Sequence, residues 1–242
     1  RDGLPVYAGG DDVLALVTLP AVFETATALR DAYREAFDPV PGDAISRPFT
    51  ISAGVVVTHY KSPLRDVLDE AHYLLDRVAK GRTGPDSIAV SVLKPGGKQY
   101  EWSMPWKHAV VDTPDASVTV EQLADEYADG RYSTSFLYGL RDIGMLLSDE
   151  GGWSPGTTVD VDDAREIHDL FEAEYRQSRE GDVEETTIQD SVESLLEASW
   201  RRTRTFDPDT GDTHIDDERN ELGFDAVLMM RFLAQQRIEG KQ

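Results

Sequence analysis

No cysteine occurs among the 242 residues, which excludes disulfides and thiolate zinc sites within them and is compatible with a cytoplasmic location. Lysine is nearly as scarce. It stands only at positions 61, 80, 94, 98, 107 and 241, so arginine supplies most of the 24 basic residues. Against these are 46 acidic residues and a formal charge of -22, a balance that would repel a phosphate backbone and argues against independent binding of nucleic acid. No run of eighteen apolar residues is present, nor a basic segment leading into an apolar one at the start. Neither a membrane span nor a signal peptide is therefore expected. What is present suffices for folding: at 40% hydrophobic, the chain is long enough for two modest domains, each with a core.

The most informative stretch is Gly9-Gly10-Asp11-Asp12, set without a gap between the strand-like runs Val6-Tyr7-Ala8 and Val13-Leu14-Ala15-Leu16. Glycines at a hairpin tip can take the positive φ angles of a tight turn and leave the backbone bare, so that a triphosphate can approach. Two carboxylates beside them are hard oxygen ligands of the kind magnesium prefers. A metal pair so held can stabilise both the attacking and leaving oxygens of a phosphoryl transfer. Adjacent strand residues point to opposite faces, so consecutive aspartates share a metal centre only where the strand turns. Gly-Gly and Asp-Asp are also ordinary turn chemistry; the flanking strands favour the site because they fix the acids to a sheet.

Downstream, Val22, Ala26, Leu29, Tyr33 and Phe37 recur at helical spacing over 21–37, ended by Asp38-Pro39-Val40-Pro41-Gly42. Residues 49–58 alternate as a strand, with the small residues Ser52 and Gly54 on its second face. Ser62 as N-cap and Pro63 at the first helical position open a second helix, with Leu64, Val67, Leu68, Ala71, Leu74, Leu75 and Val78 as its stripe and Gly81 as its stop. A hairpin follows over 88–102, turning at Pro95-Gly96-Gly97. The pattern then becomes helices between acidic loops. These readings predict an α+β domain over 1–110 and a helical C-terminal domain over 111–242. A ferredoxin-like core is built β-α-β-β-α-β, and the chain starts at the middle hairpin, so the first β-α unit is expected to lie outside it.

Taken together, Tyr7-Ala8-Gly9-Gly10-Asp11-Asp12-Val13-Leu14-Ala15, Ser52-Ala53-Gly54-Val55-Val56-Val57-Thr58-His59-Tyr60-Lys61-Ser62-Pro63-Leu64 and Ala79-Lys80 resemble the large subunit of type III CRISPR effector complexes, in its Cmr (III-B) branch. The resemblance covers about residues 4 to 105; beyond 110 no motif carries it. It implies a ferredoxin-like palm, akin to nucleotide cyclases and GGDEF diguanylate cyclases, that converts ATP into cyclic oligoadenylate second messengers when target RNA is bound. By the same resemblance Asp11 and Asp12 would be catalytic and hold Mg²⁺ or Mn²⁺, Gly9 and Gly10 would admit the phosphates, and Ser52 would contact ATP. Gly54 would leave space beside the nucleotide and Lys80 would face the triphosphate. The implied partners are the other subunits of the complex and, through them, guide and target RNA.

Each role has a plainer alternative. Lys80 can complement the negative end of its helix. Ser52 and Gly54 can be small because another element packs closely, and His59 can be a structural loop residue. His168-Asp169 reads as structural, the loop from Asp207 to Glu218 places its glycine too early for a calcium loop, and Arg201, Arg202 and Arg204 read as partners of neighbouring acids. Two rival functions stand beside the synthase: a non-catalytic scaffold in the same complex, and a stand-alone diguanylate-type cyclase. The latter expects an acidic residue and Phe after Gly-Gly-Asp, where this chain has Asp12 and Val13.

Overall fold

Strands β1 (Gly3–Gly9) and β2 (Asp12–Val17) form the expected hairpin in the computed structural model, which describes residues 3–10, 12–37, 49–111, 117–148, 154–179, 181, 183–207, 213–216 and 219–239. The hairpin is a two-stranded sheet of its own. Leu4, Val6, Tyr7, Val13 and Leu16 are each about half exposed or more. Helix α1 (Val22–Ala36) follows one 3₁₀ turn and buries Val22, Phe23 and Thr27. Periodicity missed Phe23 and Thr27, and placed Leu29 inward although it is exposed. Thr27 can be buried because its hydroxyl donates back to the Phe23 carbonyl at 2.9 Å.

The second sheet contains β3 (Ala53–Val57), β4 (Ser87–Lys94) and β5 (Gly97–Pro105) in that order, with β3 parallel to β4 and β4 antiparallel to β5. Central β4 is covered on both faces, and its apolar run is broken only by the buried Ser91. Its Ile88, Val90 and Val92 face the main core, whereas Ala89 packs with Leu74, Val78 and Ala79. The class is α+β. Among the described residues the single sheet of a ferredoxin-like palm is not assembled, since the β1–β2 hairpin pairs with neither edge of the other three strands.

Helix α2 (Leu64–Tyr73) starts one residue later than expected. Pro63 occupies the N-cap without a side-chain cap bond, and the Ser62 hydroxyl instead pairs with that of Thr58 at 2.7 Å. At Leu74 the helix becomes a π segment that runs to Thr83. The expected stop at Gly81 does not occur. Gly84, at φ 95°, ends the element instead. Of the expected stripe Leu74 and Val78 are buried, joined by Ala79 in the π segment, whereas no residue of α2 is fully buried and Leu64 is exposed.

A one-turn helix α3 (Trp106–Ala109) and the short pair β6 (Val110–Val111) and β7 (Ser117–Val118) lead into α4 (Thr119–Ala128), α5 (Thr134–Leu147), α6 (Ala164–Gln177), α7 (Glu185–Ser199) and α8 (Asp225–Glu239). Two small antiparallel pairs unforeseen in the sequence, β8 (Thr158–Asp160) with β11 (Glu221–Gly223) and β9 (Thr203–Phe206) with β10 (Thr213–Asp216), staple these helices. The core does not break at residue 110: Trp102 and Trp106 share one apolar cluster with Phe136, Tyr175, Trp200 and Phe224. The Trp102 indole N–H donates to the Ala198 carbonyl at 2.9 Å across that line.

Candidate functional site

The hairpin tip is built by register. Gly9 pairs with Asp12, so the chain reverses between them, with Gly10 in the turn. Gly10 has φ 63°, as the first position of a primed hairpin turn requires, and no atom lies within 4 Å of where its Cβ would be. Asp11 lies outside the described residues. Only one of the two glycines takes a positive φ; Gly9 remains in strand geometry. A Cβ on Gly9 would come within 2.8 Å of the Tyr7 hydroxyl, so the Tyr7 ring folds back beside the tip. Sequence reasoning overlooked this contact, and the register shift between Pro5 and Tyr7 is what re-aims the ring. Asp12 opens β2 with an exposed side chain and has no ion-pair or hydrogen-bond partner among the described residues.

The other expected site residues gather around the three-stranded sheet. Ser52 immediately precedes β3, and its hydroxyl oxygen accepts the Asp86 N–H at 3.1 Å. Gly54 lies under the helix: a Cβ there would stand 2.8 Å from the Ala71 carbonyl oxygen and 3.0 Å from the Leu75 nitrogen. Its smallness is used by the chain's own packing. Lys80 projects from the π segment, half exposed, with its ammonium 3.6 Å from Asp76. His59 is exposed, accepts the Lys61 N–H at Nδ1 (3.2 Å) and lies 4.5 Å from the Tyr60 ring.

Residues 1–89 match the family model described as Cas10/Cmr2, second palm domain. A stretch of 106 residues is 36% identical to the CRISPR system Cmr subunit Cmr2 of Pyrococcus furiosus; it makes up 44% of this chain and 12% of that protein, so the chain spans a small part of the relative's length. Residues 1–89 are thus similar to a Cas10/Cmr2 second palm domain. The similarity to the Cmr-branch large subunit read from the three sequence blocks thus has independent support in both comparisons.

Elsewhere in the structure, the features discounted earlier have local explanations. Arg201, Arg202 and Arg204 engage Glu221, Glu197 and Asp86 respectively. On α6, ligand atoms of His168, Asp169 and Glu172 come within 4.8 Å of one another, but Glu172 also accepts from Arg176 at 2.7 Å. Residues 208–212 and 218 of the calcium-loop comparison lie outside the described residues. A cavity of about 670 Å³ between α3, α4 and α7, bordered by His108, Glu126, Arg131 and Glu197, includes none of the expected site residues.

Strand β5 meets the helices at a buried charged junction. The Asp225 carboxylate, at the start of α8, accepts the Glu101 N–H of β5 at 3.1 Å and the Gly156 N–H at 2.8 Å. Glu101 is in turn gripped by Arg82 from the π segment and by Lys98 at 2.6 Å. Burial pushes the Asp225 carboxyl up to about 8, against the two backbone donors and Arg82, which favour the anion. No helix among the described residues is long and apolar enough to cross a membrane.

Proposed function

We propose that this chain is the palm region, residues 1–110, with an attached helical unit, residues 111–242, of a type III CRISPR large subunit, and that it synthesises cyclic oligoadenylates from ATP. The observation that carries the reading is the sequence Gly9-Gly10-Asp11-Asp12 where the β1–β2 hairpin turns, within the residues that match the Cas10/Cmr2 second palm domain model. In this reading the palm is ferredoxin-like. The tip suits a divalent ion and a triphosphate: Asp12 offers an exposed, unengaged carboxylate, Asp11 is its neighbour in sequence, and the space beside Gly10 is open.

Asp11 and Asp12 would hold Mg²⁺ or Mn²⁺. Bound ions of this kind neutralise charge on phosphate oxygens and favour ionisation of a ribose hydroxyl. The 3′-oxygen of one ATP attacks the α-phosphorus of the next, the hydroxyl proton is lost, and pyrophosphate leaves. Gly9 and Gly10 let the phosphates reach the backbone, Lys80 supplies a positive charge, and Ser52 donates a hydrogen bond to the nucleotide. Gly54 serves the site indirectly, by letting the helix that bears Lys80 seat against β3. Other subunits of the complex, with guide and target RNA bound through them, would govern the reaction in the cytoplasm.

The test is to incubate the assembled complex with ATP and target RNA and resolve products by mass spectrometry. Wild type should yield oligoadenylates and Asp11→Ala/Asp12→Ala none; a double mutant as productive as wild type refutes the assignment. A scaffold role is the second reading, favoured by Gly54 being filled by the protein's own helix and Lys80 being paired with Asp76. ATP binding with and without Mg²⁺ separates the two, since a scaffold binds in neither condition.

A further inference from the structure

Asp86 is the only non-glycine residue with positive φ among those described, at 62°. Such a conformation persists where the surroundings hold it, and here they do so from three directions. Its carbonyl accepts the Trp106 N–H at 2.9 Å, its own N–H donates to the Ser52 hydroxyl at 3.1 Å, and its carboxylate is paired with the Arg204 guanidinium of β9. Both side chains of that pair are largely buried, at 11% and 15% exposure. Arg204 also covers the start of the same turn: any Cβ on Gly84 would collide with the Arg204 carbonyl oxygen. Arg204 itself is set by pairing with Ile215 in β10 and by a contact from its guanidinium to the Thr213 hydroxyl at 3.3 Å.

The turn from Gly84 to Asp86 therefore joins three things. It ends the π segment bearing Lys80, it orients the Ser52 hydroxyl, and it is clamped by a strand more than a hundred residues later. By accepting from Asp86, the Ser52 oxygen has one lone pair occupied, and its own hydrogen has no acceptor among the described residues, so the hydroxyl is free to donate to solvent or to a ligand.

We propose that Arg204 is a positioning residue for the nucleotide site: by gripping Asp86 it holds the Ser52 hydroxyl and the Lys80 helix end in place, which makes ATP affinity depend on the helical unit. This rests on reading Ser52 and Lys80 as nucleotide contacts. It deepens that reading by giving the helical unit a lever on the site, because a movement of β9 reaches the nucleotide through one ion pair.

The experiment is ATP binding in the presence of Mg²⁺ by the full-length protein, as wild type, Ser52→Ala, Arg204→Ala, Arg204→Lys, Asp86→Asn and the Ser52→Ala/Arg204→Ala double variant. Circular dichroism and melting establish which variants are folded. Arg204→Ala and Asp86→Asn should each weaken binding about five- to tenfold, and Arg204→Lys should recover part of it. In the double variant the combined loss should fall short of the product of the two single losses, because the Ser52 contact can be lost only once. A merely structural Arg204 would give additive losses or none, and either result overturns the inference. Should Arg204→Ala fail to fold, Asp86→Asn decides. If wild type binds no ATP, the nucleotide reading falls and this inference with it; if Ser52→Ala weakens binding and Arg204→Ala does not, only this inference falls.

Discussion

The N-terminal hairpin and the helical half put their apolar residues to opposite uses. In the hairpin, Leu4, Val6, Tyr7, Val13 and Leu16 face solvent and the strands bond only to each other. In the helical half, Phe136, Tyr132 and Tyr175 pack ring against ring, with centroids 5.2 to 6.4 Å apart, and Phe136, Phe171, Trp200 and Phe224 are almost wholly buried. The lesson is a division of labour: the tip that carries the candidate chemistry contributes little to stability, while the part without a motif holds the molecule together.

The sharpest test of that division is the paired substitution Asp11→Ala/Asp12→Ala. Product formation should fall to background while the melting temperature is unchanged, since Asp12 makes no ionic contact among the described residues. A large loss of stability would break the comparison. Next in size, Phe136→Ala should cost about 3–5 kcal/mol in denaturant unfolding, the range for emptying an aromatic site in a packed core; an effect below about 1 kcal/mol would show that the helical half is not the stabilising part.

The junction between the halves should respond to pH. Asp225 holds its proton to about 8 in the fold, whereas its ordinary value is 3.8. The folded state thus binds the extra proton, so this contribution to stability is fully present below about pH 4 and is lost as pH rises through about 8. Glu101 and Arg82 are the charged neighbours facing it. Melting across pH 4 to 9 should show wild type losing more stability than Asp225→Asn, which cannot ionise; parallel curves would remove Asp225 from the account. The smallest effects are expected at the two glycines. Gly54→Ala pushes a methyl against the Ala71 carbonyl and the Leu75 nitrogen, at a cost of about 1–3 kcal/mol, whereas Gly10→Ala meets no atom and is opposed only by its φ.

Local chemistry was legible where a few adjacent residues decide it. The Gly10 turn, the existence of helix α1 and strand β3 and the β4–β5 hairpin all rest on interactions within about ten residues. Reading failed where a distant partner or a change of winding decides. The π segment added Ala79 to the buried face of the second helix and carried the element past Gly81. Thr27 is buried through a hydroxyl bond that hydropathy does not count, and the strand pairs β8–β11 and β9–β10 are too short to show a period. Tyr7 beside Gly9 had no signal except the proximity of an aromatic residue to the turn.

On its own, the order of residues determined the hairpin with its acids, the succession of helices and strands, and the likeness to a Cas10/Cmr2 palm, because each depends on neighbours along the chain or on motifs of fixed spacing. Only the tertiary structure decided that Gly54 is filled from within, that Ser52 answers to Asp86 and Arg204, and that one core runs through residue 110. Those outcomes depend on which surfaces meet after collapse, and contacts between residues a hundred positions apart leave no periodic trace in the sequence.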